Sequence, residues 1–205
     1  MSGVIEQAAF DVEAAWGKVA LPLQQIRTMT VRGVRSKWSV REDFSMKENP
    51  SGPWCYGWAS EPGGKLTPYS NRFHDDDGPH DGWRMGNWIP GVWINGGAEA
   101  YGVKPGEVSQ HPGANGEEAI VRWQAEKECA VVVKGTFGAG DSGSVDVRVR
   151  HNATVLFESL DTNKDEPFSL EINVKCGDIV EFAVSAGRSG FACGNTPLDA
   201  VISVK

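Results

Sequence analysis

Nowhere in this sequence do basic residues cluster. The chain carries 20 Lys and Arg against 27 Asp and Glu, a formal charge of −7 at pH 7, and its cations are scattered. Phosphate recognition draws most of its affinity from clustered Lys and Arg, so nucleic acid is excluded as a partner. Attraction to an anionic membrane surface is excluded for the same reason. Long apolar runs are also missing. None approaches the roughly 20 residues that a helix needs to span a bilayer, so no membrane insertion is expected. The start, MSGVIEQAAFDVEAAW, has no basic segment leading into an apolar one, and no signal peptide is visible. Cysteine is sparse: Cys55, Cys129, Cys176 and Cys193 stand too far apart for a CxxC metal knuckle or redox pair. Isolated buried thiols and several pairings stay open, and Cys129 with Cys176 is the first pairing to test. There is no HExxH and no single pair of carboxylates that marks a glycosidase acid and base.

What the chain does have is glycine, 25 residues of it, and many short alternating segments. That combination favours an all-β domain rich in turns. A length of 205 residues fits one domain of ordinary size with a small appendage. Residues 4–21 read as a helix, with Ile5, Ala8, Val12, Ala15, Trp16 and Val19 at helical spacing and Glu6, Asp11 and Glu13 in its front half. Pro22 ends it. Arg27 to Trp38 reads as extended, and the main domain begins at about residue 40, giving 1–40 as helix and linker and 41–205 as the β domain. The PWCYGW segment places Trp54, Tyr56 and Trp58 on one strand face. Residues 59–89 read as mostly loop, and GVWING (91–96) as a short strand. From 118 onward strands are predicted at 117–125, 129–137, 145–151, 153–160, 167–175, 179–187 and 198–205. They recur about every 10–15 residues between Gly, Asp and Asn, which is the pattern of a two-sheet β-sandwich.

Three local motifs have simple readings. GDSG (140–143) matches the run around a serine nucleophile, but it lies between two strong strands and reads as a hairpin turn. Asp161, Asn163 and Asp165 mimic half of an EF-hand loop, yet Glu166 stands where glycine is required and Ile172 where glutamate is required. The run from His74 to Asp81 reads as a solvated acidic loop, with calcium or a transition-metal site as its alternatives. The aromatic residues carry more. Five of eight tryptophans and all three tyrosines lie between Asn49 and Tyr101. An exposed aromatic face packs on the C–H face of a sugar ring, while nearby polar groups hold its hydroxyls. The expected ligand-binding set is Trp54, Tyr56, Trp58, Tyr69, Trp83 and Trp88. Sealing of the sandwich core is the competing role for each of them.

From Asp43 to the end, the chain resembles a little-characterised group of bacterial jelly-roll modules similar to carbohydrate-binding and galactose-binding-like domains. The matching pieces are DFS (43–45), NPSGPWCYGW (49–58), HPG (111–113), IVRW (120–123), VDVRV (145–149), KCGDIVEFAV (175–184) and LDAVISV (198–204). The resemblance implies an all-β jelly roll and a non-catalytic, glycan-binding accessory module in a secreted or cell-surface, multidomain protein. It also implies a structural calcium held by Asp43 and Asp199. Glu126, where such modules have proline, and Cys129 and Cys176, where they have small residues, depart from the pattern, and the helix at 4–21 lies outside it. Two other readings stay open: a polysaccharide hydrolase or lyase with His74, His80 or His111 near a metal, and a structural surface or particle protein forming oligomers.

Overall fold

A computed structural model describes the backbone of residues 9–14, 17–22, 35–75 and 80–205, and the side chains of 35–74 and 80–205. The chain divides into two units, Met1–Arg35 and Ser36–Lys205. In the first, β1 (Ala9–Ala14) and β2 (Gly17–Pro22) form an antiparallel pair with Phe10 opposite Leu21 and Val12 opposite Val19. The helix expected over 4–21 is therefore corrected at 9–14 and 17–22; residues 1–8 and 15–16 lie outside the described residues. The apolar positions of Phe10-Asp11-Val12-Glu13 fit period two as well as they fit a helix, and Gly17 is a poor helix former. Most of the stretch expected to be extended, 27–34, is likewise outside the described residues.

The second unit is all-β, built as two sheets in which every described pairing is antiparallel. Its strands begin with β3 (Lys37–Ser39), β4 (Trp54–Ala59), β5 (Thr67–Pro68), β6 (Asn71–Asp75), β7 (His80–Arg84), β8 (Gly91–Asn95) and β9 (Val108–His111). They continue with β10 (Glu118–Gln124), β11 (Cys129–Phe137), β12 (Val145–His151), β13 (Thr154–Thr162), β14 (Glu166–Val174), β15 (Ile179–Ala186) and β16 (Thr196–Val204). One sheet runs β13-β12-β15-β10-β4-β5; the other runs β14-β11-β16-β9-β8-β7-β6, with β3 added against β16. The described residues contain no helix long and apolar enough to cross a membrane.

Alternation explains the packing. On β12, Val145, Val147 and Val149 enter the core while Asp146, Arg148 and Arg150 face away from it. Trp54, Tyr56 and Trp58 do share one face of β4, and it is the inner one. Trp38 from one sheet meets Trp123 from the other edge-on, ring centroids 5.2 Å apart.

The outer face of the shorter sheet buries a charge network. Arg150, 4% exposed, donates to Glu118 Oε2 at 2.6 Å and to Glu181 Oε2 at 3.0 Å. Arg122 Nε donates to Glu181 Oε1 at 2.9 Å, and Gly63 N–H caps Glu118 Oε2 at 3.2 Å. Such a network is satisfied as a set and costly to break singly.

The reading of 59–89 as loop is corrected at β6 and β7, which form one edge of the larger sheet. Their inner positions offer little apolar signal: Arg72 stacks over the Trp83 ring at 5.2 Å rather than a second hydrophobe joining it. The Cys129–Cys176 bridge is also corrected. The β11–β14 register sets Val174, not Cys176, opposite Cys129, and all four cysteines are free thiols, Cys176 and Cys193 at the surface.

Candidate functional site

The outer face of β6, β7, β8 and β9 floors an open cleft of about 760 Å³. Cross-strand register arranges its floor in rows. One row is Asn71–Arg84–Gly91–His111, the next is Phe73–Gly82–Trp93–Ser109, and a third pairs His80 with Asn95. Glycine in the middle of the second row has a steric reason. A Cβ on Gly82 would lie 2.6 Å from both the Phe73 ring and Trp93 Cβ, so only glycine lets these side chains close over the strand.

Three connections build the walls. Tyr101 and Gly102 both adopt positive φ, 53° and 71°, inside a turn closed by Ala100 and Val103. That is the backbone of a type I′ turn, which favours Asn and Gly over a bulky aromatic. A Cβ on Gly102 would stand 1.9 Å from Gly140 O, and one on Gly140 would stand 1.9 Å from Asn195 O. The three loops therefore stack backbone on backbone. Asp141 N–H donates to Asn195 O at 3.2 Å and Gly143 N–H to Cys193 O at 2.9 Å, tying the second loop to the third. The GDSG run is thus a turn between β11 and β12, as expected, and it delivers Asp141 to the cleft.

Aromatic groups dominate the interior. His80 and Trp93 rings lie 4.6 Å apart, and Tyr101 stands 6.0 Å from His80 and 6.5 Å from Trp93 at 83°. Trp93 is fixed by its Nε1–H donating to Asn195 Oδ1 at 3.0 Å. On the rim, Trp88 from the β7–β8 turn meets Phe191 edge-on at 5.8 Å. Trp88 is 63% exposed and Tyr101 58%, against 6% for Trp93. Polar groups sit among them. His111 Nδ1–H donates to Pro112 O at 2.8 Å, which leaves Nε2 as an acceptor in the neutral ring. Burial holds the His111 pKa below its ordinary 6.5, against the opposite pull of Pro112 O and the charge of Asp141. His74 Nδ1 pairs with Asp81 Oδ1 at 2.8 Å on the cleft's edge.

Of the six aromatics expected to bind ligand, Trp88 alone is exposed and lines the cleft. Trp54 (1%), Tyr56 (0%), Tyr69 (2%) and Trp83 (3%) are core residues, and Trp58 packs partly buried against them. The correction has a plain cause: the β4 face that carries three rings is the face turned toward the other sheet. Trp54 Nε1–H donates to Asp43 Oδ2 at 3.0 Å and Trp83 Nε1–H to Ser45 O at 2.8 Å, so both indoles satisfy their polar atom internally.

Asp43 and Asp199, the pair expected to hold calcium, stand in different settings. Asp43 Oδ2 accepts from Ser39 N–H and Trp54 Nε1–H, both at 3.0 Å, while Asp199 is exposed on β16 opposite Thr136. No group of three or more His, Cys, Asp or Glu among the described residues is placed to hold a metal ion. Of the acidic run, Asp76, Asp77, Gly78 and Pro79 lie outside the described residues, as does the Asp75 side chain. Asp161 accepts from Ser144 Oγ at 2.6 Å and Arg188 N–H at 2.9 Å, and Asp165 accepts from Ala139 N–H at 2.8 Å, all as turn-forming contacts.

Sequence reasoning missed Phe73, Arg84 and Trp93 as cleft residues. The available signal was the single glycine in each of HDGWR and GVWIN, two residues before Arg84 and Trp93 and so on the same strand faces as these.

No protein-family model matches the chain, and no curated protein matches it. Among solved structures, several carbohydrate-binding modules are similar at low identity and low TM-score. A CBM51 from Clostridium perfringens in complex with methyl-galactose is 10% identical, with 82% of this chain and 100% of that one covered and a TM-score of 0.39. A family 35 carbohydrate-binding module from Clostridium thermocellum is 14% identical over 43% of this chain and 72% of that one, TM-score 0.31. A module from Cellvibrio mixtus lichenase 5A in complex with cellotriose is 8% identical over 74% and 97%, TM-score 0.28.

Proposed function

We propose that this protein binds carbohydrate, without turnover, in the cleft on the outer face of β6–β9. The observation that carries the reading is the pair of exposed rings, Trp88 and Tyr101, on the border of an open groove that also presents hydrogen-bonding side chains. Exposed indole and phenol faces match the C–H faces of pyranose rings, and His111, Asp141 and Asn195 match hydroxyl groups. Tyr101 is held in a backbone conformation unusual for its size, which supports a role for the ring beyond filling a turn. Finer assignments belong to the same reading: a jelly-roll connection of the strands, and an accessory role in a secreted or surface protein. A few such contacts leave about −4 to −8 kcal/mol, a dissociation constant between millimolar and micromolar.

An array of plant, algal and bacterial polysaccharides, read by retention and by intrinsic Trp fluorescence, tests it. Retention on one glycan class with quenching that Trp88→Ala diminishes supports the reading, and silence across the array overturns it. A second reading, polysaccharide cleavage, is favoured by the convergence of His74, His80 and His111 on one cleft. Asp141 is the one carboxylate among the described lining residues, so a two-carboxylate glycosidase site does not support it. Release of oligosaccharide products, lost in His111→Ala, would favour cleavage over binding.

A further inference from the structure

Arg84 stands out within the cleft. Its guanidinium carbon lies 4.9 Å from the Phe73 ring centroid, so the plane of the group is held by an aromatic face. Yet among the described residues the guanidinium has no hydrogen-bond acceptor and no carboxylate at ion-pair distance, and its Nε is buried without a partner. The other arginines of the second unit's buried surfaces are treated differently: Arg122, Arg148 and Arg150 each meet at least one carboxylate. A half-buried guanidinium with no counter-charge is expensive unless something completes it.

The surroundings say what completes it. Arg84 occupies the floor row Asn71–Arg84–Gly91–His111, and Gly91 beside it contributes no side chain. The three atoms nearest a Cβ built on Gly91 are Trp83 O at 3.2 Å and Arg84 Cβ and Cα at 3.5 and 3.9 Å, and Gly91 and Arg84 both line the groove. Asp141, the one carboxylate of the described lining, forms no ion pair with Arg84; its Oδ1 accepts from Ser142 N–H at 2.7 Å. A planar fork of donors, oriented in advance by stacking and lacking a partner, is the arrangement that recognises an oxyanion.

We propose that the cleft selects acidic glycans, with Arg84 receiving a carboxylate or sulfate oxyanion borne on a sugar ring. This rests on the carbohydrate-binding reading and adds the ligand's charge. The test uses the full chain and matched pairs of oligosaccharides at one pH near neutrality. Oligogalacturonide, alginate and glucuronoxylan fragments are each set beside their carboxyl-reduced forms, and a sulfated galactan is set beside its desulfated form. The expected result is that at least one acidic member binds roughly tenfold tighter than its neutral partner, as a charge-assisted hydrogen bond provides. Which pair responds identifies the oxyanion. Arg84→Gln should bring the acidic member down to the affinity of its neutral partner, and Arg84→Lys should retain part of the preference. Equal affinity within every pair, or a preference that survives Arg84→Gln in a natively folded variant, overturns the inference and leaves carbohydrate binding standing. If Arg84→Gln does not fold, the wild-type ratios decide alone. Failure to bind any member overturns the inference, and silence across the wider polysaccharide array overturns both.

Discussion

Among the described residues Tyr101 and Trp88 are exposed rings while the other large aromatics are mostly sealed, and that contrast separates the proposed binding residues from folding residues. Trp88→Ala and Tyr101→Ala should each weaken glycan binding about tenfold or more while changing stability by less than about 0.5 kcal/mol, as for surface substitutions. Trp54→Ala should do the reverse. Its ring is 1% exposed and its indole N–H satisfies Asp43, so truncation should cost about 3–5 kcal/mol, read as a fall in the urea midpoint. His111 gives a pH signature. Its folded pKa lies below 6.5 chiefly because burial disfavours the charged ring. The unfolded chain therefore binds more protons between the depressed value and 6.5, and stability, complete above that window, falls as pH drops through it. Urea midpoints measured near neutrality and at about pH 5 should diverge in the wild type. The divergence should shrink in His111→Asn, and an equal divergence in both proteins would remove His111 from the explanation.

At the level of elements, the cleft depends on three loops stacked through glycine. Gly140→Ala would drive a methyl group against Asn195 O, cost about 1–3 kcal/mol in strain, and move the Tyr101 turn away from Trp93. Weakened glycan binding together with a lowered thermal midpoint is the expected outcome; native affinity would show that the loop stack does not position Tyr101. The strands from Glu118 onward were legible because valines and charged residues alternate on them, as in VDVRVRH. β6 and β7 were hidden because their outer face serves the cleft and carries His, Gly and Arg instead of a regular polar pattern. β1 and β2 were misread because apolar residues there satisfy two periods at once. The proposed site was half legible. Aromatic density between 49 and 101 pointed to the right region, but parity along β4 cannot say which face meets the other sheet. Only the register of β7, β8 and β9 shows that Trp93 and His80 point outward with Arg84.

For the whole molecule, the unit Ser36–Lys205 owns a continuous core between its two sheets and a buried charge network on the far side. Arg150 bridges Glu118 and Glu181, so Arg150→Met would leave two buried carboxylates short of a partner and should cost about 3–5 kcal/mol, measured by urea unfolding. A fragment of residues 36–205 should unfold cooperatively by itself, since the buried core cluster lies within it; a molten fragment would contradict that assignment. Glycan recognition at the β6–β9 face is the claim on which these predictions converge. Its most direct test is isothermal titration calorimetry of the fragment and its Trp88→Ala/Tyr101→Ala double variant against the best-retained oligosaccharide from the array. The account predicts one site with a millimolar-to-micromolar dissociation constant, about −4 to −8 kcal/mol, and loss of measurable heat in a double variant that keeps its thermal midpoint. Unchanged binding by a folded double variant would contradict it.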